Sequence, residues 1–155
     1  MMMYSITKRL LRRPLVSSRL FGTSSSSGTL LHHEWIGPSH HHDERAPPIV
    51  FLHGLLGNSR NIRTMANKTC ELKKRPGPLI DITGHGKSAS SSSSSSSAHP
   101  VDFHVATNDI QHTISTAVKT DTVTMVGDSL GGRLALYYAT LQKQNHGPVN
   151  LNVHC

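Results

Sequence analysis

Acidic residues are missing from the first 33 positions of this 155-residue chain, Glu34 being the first. Cysteine is scarce as well. Cys70 and Cys155 are the only two, which excludes a disulfide framework and suits a reducing compartment. No apolar run approaches the roughly 20 residues a bilayer span requires, so no membrane-spanning segment is expected. Hydrophobic residues make up only 35% of the chain, and runs of serine account for part of that deficit. The length leaves room for one domain.

A formal charge of +7 first suggests nucleic acid. Its distribution argues otherwise. Of 16 basic residues, five (Lys8, Arg9, Arg12, Arg13 and Arg19) precede residue 29 with no acid among them, leaving 11 against 9 acids for the remainder. The excess belongs to the N-terminus, and no nucleic-acid partner is expected. Residues 1–13 can wind into a helix with leucines on one side and cations elsewhere. An Arg-rich, Ser-rich, acid-free leader has the signature of an organellar transit peptide. Arg19-Leu20-Phe21-Gly22-Thr23-Ser24 also resembles the Arg-x-Phe-x-x-Ser pattern of mitochondrial processing sites, which puts the mature start near residue 28. Residues 1–28 are therefore read as a transit peptide, disordered or helical, with a mitochondrial matrix destination. The alternatives are a plastid peptide or a basic tail on a cytoplasmic protein.

The chain is organised around Val123-Thr124-Met125-Val126-Gly127-Asp128-Ser129-Leu130-Gly131-Gly132. A β-branched apolar run ends at Gly127 and a good helix former begins after Ser129. Between them lies G-x-S-x-G, filled by Gly127, Ser129 and Gly131. A turn this tight forces its middle residue into a strained conformation, and the flanking glycines remove side chains that would collide. The serine hydroxyl is then lifted to a helix N-terminus, where the Leu130 amide and the helix dipole can stabilise an oxyanion. Taken alone, the pentapeptide equally suits a chance match or a phosphate-holding turn.

Two further stretches decide the matter. Ile49-Val50-Phe51-Leu52 reads as a strand buried on both faces, followed by His53-Gly54-Leu55-Leu56-Gly57. A moderate helix comes next, with Ile62, Met65, Ala66, Cys70 (or Thr69) and Leu72 near one face, ended by Pro76-Gly77-Pro78. Leu79-Ile80-Asp81-Ile82 is a short strand running into Thr83-Gly84-His85-Gly86-Lys87-Ser88. A P-loop is rejected, because G-x-x-x-x-G-K-[ST] would need glycine where Asp81 stands. Asp102 can cap a helix carrying Val105, Ala106, Asp109, Ile110, Ile114, Ala117 and Val118, whose apolar members fall close to one stripe. Asp121 closes the turn before the serine-bearing strand. Residues 149–153 alternate apolar and polar, starting one more strand. Residues 30–36 make a strand-like piece suited to an antiparallel edge, and residues 88–97 a low-complexity surface loop. His40-His41-His42-Asp43 lacks a second cluster at ligand spacing and is read as a solvated loop. No metal and no cofactor are expected.

This βα alternation implies a mostly parallel sheet with helices on both faces. With Phe51-Leu52-His53-Gly54-Leu55-Leu56-Gly57, Asp81-Ile82-Thr83-Gly84-His85-Gly86-Lys87-Ser88 and Gly127-Asp128-Ser129-Leu130-Gly131-Gly132 in this order, residues 47–155 resemble the N-terminal half of an α/β-hydrolase. The likeness is nearest to the mitochondrial α/β-hydrolase domain-containing protein 11 group. Residues 29–46 form a poorly patterned lead-in. The resemblance implies an esterase- or lipase-like serine hydrolase acting on small ester or thioester substrates. It carries over Ser129 as nucleophile and the backbone amides of Leu55 and Leu130 as oxyanion donors. His53, Gly54, Gly127, Gly131, Gly132, Asp81, Gly84 and Gly86 enter as structural motif residues, the His53 ring supporting its loop and not acting as base.

Two departures stand out. Asp128 takes a place often held by histidine in that group, and a carboxylate there disfavours an oxyanion or an anionic substrate. In the family the triad acid and then the histidine follow the serine. Only 26 residues follow Ser129 here, and none matches either role, neither His146 nor His154. The expectation is an N-terminal fragment or truncated product with negligible activity by itself. The alternative is an inactive relative that binds a ligand or partner; the protein partner is not specified by the sequence.

Overall fold

The computed structural model describes residues 2–7, 28–38, 46–91, 102–118, 122–146 and 150–154. Side chains are described over 28–38, 46–89, 102–118 and 122–142. The His40–Asp43 cluster, the Arg19–Ser24 pattern, most of the serine run and Asp121 lie outside these residues.

Three apolar segments form the centre of a six-stranded sheet: β3 (Ile49–Leu52), β4 (Gly77–Ile80) and β5 (Val123–Gly127), in the order β4-β3-β5. All four residues of β3 and all of β4 and β5 are buried. That is why they read as continuous apolar runs instead of alternating ones. Both pairings of β3 are parallel, with Leu52 opposite Ile80 on one side and Gly127 on the other. The three strands thus end level, and the chain leaves all of them at one edge of the sheet. Ligand sites of open α/β sheets lie outside that carboxyl edge.

Antiparallel strands flank this centre. β2 (His33–Ile36) pairs with β4, as expected for residues 30–36. On the other side β1 (Met2–Thr7) pairs with β5, and β6 (Asn150–His154) with β1. The final strand is therefore present one residue later than expected. The helical or disordered reading of residues 1–28 is corrected over Met2–Thr7, which form a strand. The physical reason is that β5 offers a row of backbone donors and acceptors, and pairing satisfies both strands at once.

Helix α1 (Ser59–Lys73) covers one face, packing Ile62, Ala66 and Cys70 on Ile49, Phe51, Leu79 and Val126. Helices α2 (Phe103–Thr113, continued by a π-helical turn Ile114–Val118) and α3 (Leu130–His146) cover the other. There Ala106, Ile110, Leu134 and Tyr138 pack with Val50, Leu52, Ile80 and Met125. The alternating residues of each strand divide between the two layers, as strand pleating requires. Burial pushes the Cys70 thiol up to about 11, so it stays protonated and inert.

Three helix expectations need correction. Leu72 is exposed, because buried positions run 62, 66, 70 and Leu72 lies across the helix from them. Val105 likewise faces outward on α2. Pro76-Gly77-Pro78 does not end α1. The helix stops earlier, with Lys74 in the left-handed region (φ 50°) donating to the carbonyls of Cys70 and Glu71, and Gly77-Pro78 already belong to β4.

Gly77 carries a sharp steric demand, since an added Cβ would sit 1.7 Å from the backbone oxygen of Ile49. Gly77→Ala must push β4 from β3 and is expected to cost more than about 3 kcal/mol. Leu72→Ala, at an exposed site, is expected to stay within about 0.5 kcal/mol. Urea midpoints of both variants check the pair; a tolerated Gly77→Ala contradicts the β3–β4 register.

Candidate active site

Ser129 sits between the end of β5 and the start of α3, exposed, at φ +48°. A non-glycine residue in this region is uncommon and persists only where its surroundings over-determine it. They do so through backbone contact. An added Cβ at Gly127 would lie 2.3 Å from the carbonyl carbon of Gly131, and one at Gly131 would lie 2.4 Å from the oxygen of Leu52. Helix α3 is therefore drawn directly onto the ends of β5 and β3, with Gly132 beside the Gly127 carbonyl. The amide of Asp128 donates to Leu52 O (3.0 Å), and that of Gly131 to Asp128 O (2.8 Å).

The loop after β3 meets this turn. An added Cβ at Gly54 would stand 3.4 Å from Cβ of Ser129 and 3.0 Å from Oδ2 of Asp128. The loop closes on itself through Gly57 N–H donating to Gly54 O (3.1 Å). Leu55 and Leu56 project outward, Leu56 at φ +59° and 90% exposed. The structure thus brings Gly54, Asp128 and Ser129 together, with Leu55 and Leu130 the residues next along the chain from Gly54 and Ser129.

His53 lies fully buried beneath that loop. The amide of Ile82 donates to its Nε2 (3.0 Å), which fixes the proton on Nδ1, and Nδ1–H donates to Gly54 O (2.8 Å). Burial holds the ring below its ordinary pKa, outweighing the Gly54 carbonyl and the charge of Asp81, while His85 adds to the lowering. With both nitrogens engaged, the ring supports the loop and has no free position for proton abstraction. His85 stacks obliquely against it at 5.5 Å and donates from Nδ1 to Thr83 O.

Asp81 ties the second motif to the first. Its carboxylate accepts from the amides of Ser59 (2.6 Å), at the start of α1, and Lys87 (2.9 Å). An anion at a helix N-terminus is favourably placed. Burial raises its pKa, but these amides, the Ser59 hydroxyl and His53 together outweigh it and hold it below the usual carboxylate value. Gly86 leaves room for the carboxylate, since a Cβ there would overlap Oδ2 at 2.4 Å. Gly84 forms the exposed tip of the turn at φ +76°.

Four supporting residues escaped sequence reasoning. Ser88, expected at the start of a low-complexity surface loop, is buried within a 3₁₀ turn (Gly86–Ser91); its hydroxyl donates to Asp81 O and accepts from the His32 amide. Asp109 accepts from Thr83 Oγ1 (2.8 Å) and the Thr29 amide (2.7 Å), joining α2, the glycine turn and the lead-in. Its signal was a carboxylate on an apolar helix stripe. Asn58 and Asn61 cap α1 reciprocally, a pattern legible as paired polar residues three apart. Among the described residues no group of three or more His, Cys, Asp or Glu is placed to hold a metal ion.

A strained, exposed serine between strand and helix, at the carboxyl edge of a parallel sheet and against a His-Gly loop, defines the α/β-hydrolase class. A family profile described as the alpha/beta hydrolase fold matches residues 47–146, about two thirds of the chain, and the chain belongs to that family. It is 36% identical over 89 residues to ethanol acetyltransferase 1 of Kluyveromyces marxianus, covering 57% of this chain and 22% of the relative. It is 34% identical over 96 residues to the 2-succinyl-6-hydroxy-2,4-cyclohexadiene-1-carboxylate synthase of Serratia proteamaculans, covering 60% and 32%. With the sn-1-specific diacylglycerol lipase ABHD11 of Danio rerio it shares 31% over 95 residues, covering 61% and 27%. Among solved structures, a marine microorganism esterase superposes with a TM-score of 0.56 at 25% identity, covering 74% of this chain and 38% of the esterase. The chain therefore spans about a third or less of these curated relatives.

His53 sets a pH window. The unfolded ring takes a proton near its ordinary value of 6.5 while the folded ring resists it. Stability is therefore full above that pH and falls as pH drops below it. Asp81, whose folded pKa lies below its ordinary 3.8, loses its contribution only in more acid solution. His53→Gln is expected to cost about 1–3 kcal/mol at pH 7.5 by leaving the Ile82 amide poorly paired, and to flatten the stability curve between pH 7 and 5. Urea titrations at several pH values check this; an unchanged slope contradicts it.

Proposed function

We propose that residues 47–146 carry the nucleophile and oxyanion half of a serine hydrolase acting on ester or thioester bonds. The observation that carries the reading is Ser129, exposed at φ +48° on the strand–helix turn with Gly54 packed against it. Its Oγ attacks the carbonyl carbon of a small-molecule ester. The charge then developing on the carbonyl oxygen is received by the amide of Leu55 in the loop after β3 and that of Leu130 at the N-terminus of α3. The family relation and the esterase and lipase among the similar proteins support this chemistry.

The base and its orienting acid are assigned to no residue of this sequence. His53 is occupied on both nitrogens, and among the described residues no histidine is hydrogen-bonded to Ser129. A serine lacking its base is a poor nucleophile. Loss of triad members costs on the order of 10⁶ in turnover, with about 10³ over water surviving through the remaining site. That observation favours a second reading, in which the 155-residue polypeptide is a catalytically inactive relative serving as a binding module. Two measurements separate them. With a fluorophosphonate probe and added imidazole as an external base, slow labelling confined to Ser129 and lost in Ser129→Ala supports the hydrolase reading. No labelling, or labelling elsewhere, favours the binding module. Hydrolysis of a p-nitrophenyl ester by the unsupplemented polypeptide is expected near background, and full enzymatic turnover contradicts the missing base.

The acid-free, Arg- and Ser-rich leader supports a mitochondrial matrix location for this hydrolase. Residues 1–28 fused to a fluorescent protein are expected to direct it to mitochondria; a plastid or cytoplasmic signal rejects that destination.

A further inference from the structure

The residue before the serine has a definite place in the fold. Asp128 is exposed, and its Oδ2 lies 3.0 Å from the point where a Cβ on Gly54 would be. Its carboxylate is therefore turned toward the His-Gly loop, on the side of Ser129 from which the Leu55 amide follows. Its backbone is committed to the turn, the amide donating to Leu52 O and the carbonyl accepting from Gly131. The side chain is free to differ without disturbing either bond.

We propose that Asp128 is a specificity-determining residue, a charge filter that admits a neutral acyl group beside Ser129 and expels an acyl anion. This rests on the reading of Ser129 and its two amides as an ester site. Hydrolysis of a neutral ester by water yields an alcohol, a carboxylate and a proton. Substrate and product thus differ in charge at the atoms nearest Asp128. A carboxylate a few ångströms away repels the product and any substrate carrying an acid next to its scissile carbonyl. Binding of an uncharged ester is left unchanged. Across partly exposed space this repulsion is worth roughly a factor of ten in affinity, and it is screened by salt. The exposed, apolar Leu55 and Leu56 on the same loop match an uncharged acyl partner.

Binding tests this without asking for turnover. The ¹⁵N-labelled full chain is titrated with acetate, and separately with acetamide of matched size and no charge, following the amides of Gly54, Leu55 and Leu130 by NMR. Asp128→Asn is expected to strengthen acetate binding about tenfold and leave acetamide unchanged. In the unsubstituted chain, roughly 1 M salt is expected to narrow the gap between the two ligands. Equal acetate binding by both proteins, or equal gains for both ligands, overturns the charge filter alone. If neither ligand shifts these amides in either protein, the site itself is absent, and the filter falls together with the ester-site reading.

Discussion

Backbone-to-backbone approach at Gly127 and Gly131 is the constraint on which the rest of the site depends. Helix α3 can follow β5 without a loop only if its first turn rests on the ends of β5 and β3, where a methyl group would overlap carbonyl atoms at about 2.3–2.4 Å. The residue between them has no relaxed conformation left, and Ser129 takes up the left-handed one. Its exposure is therefore a result of packing beneath it. The level ends of β3, β4 and β5 bring the other two loops to the same edge.

Those loops are fixed by buried polar groups, each of them paired. His53 links the first loop to Ile82, Asp81 links the second to the start of α1, and Asp109 links the second to α2 and the lead-in. A buried polar atom without a partner is costly, so each bond allows few alternative loop positions. Two buried atoms among the described residues do lack partners, Arg75 Nε and Thr107 Oγ1. The loops are thereby locked before any ligand arrives, the condition for oxyanion stabilisation without reorganisation.

Much of this was legible in the residues. Short, mostly apolar runs ending at or just before a glycine marked β3 and β5, and the order of three glycine motifs marked the class. Asp102 marked the start of α2, and the alternation of residues 149–153 marked β6 within a residue. What escaped depends on contacts between distant segments. Ser88 looked like the first residue of a serine run, and only the neighbourhood of His32 and Asp81 makes it structural. Gly77 looked like a helix breaker because Pro-Gly-Pro is a loop signal, whereas the close approach of Ile49 recruits it to a strand. Met2–Thr7 belong to a segment, residues 1–13, that can wind into an amphipathic helix, and the open side of β5 draws them into a strand. Local propensity yields to pairing in each case.

The central claim is geometric: a hydroxyl held by packing in front of two main-chain donors from separate loops. A crystal structure of the chain with a phosphonate ester on Ser129 tests it most directly. The account predicts a phosphoryl oxygen within about 3.1 Å of the amide nitrogens of both Leu55 and Leu130. An adduct whose oxygens face solvent, or engage only one of the two amides, would contradict it.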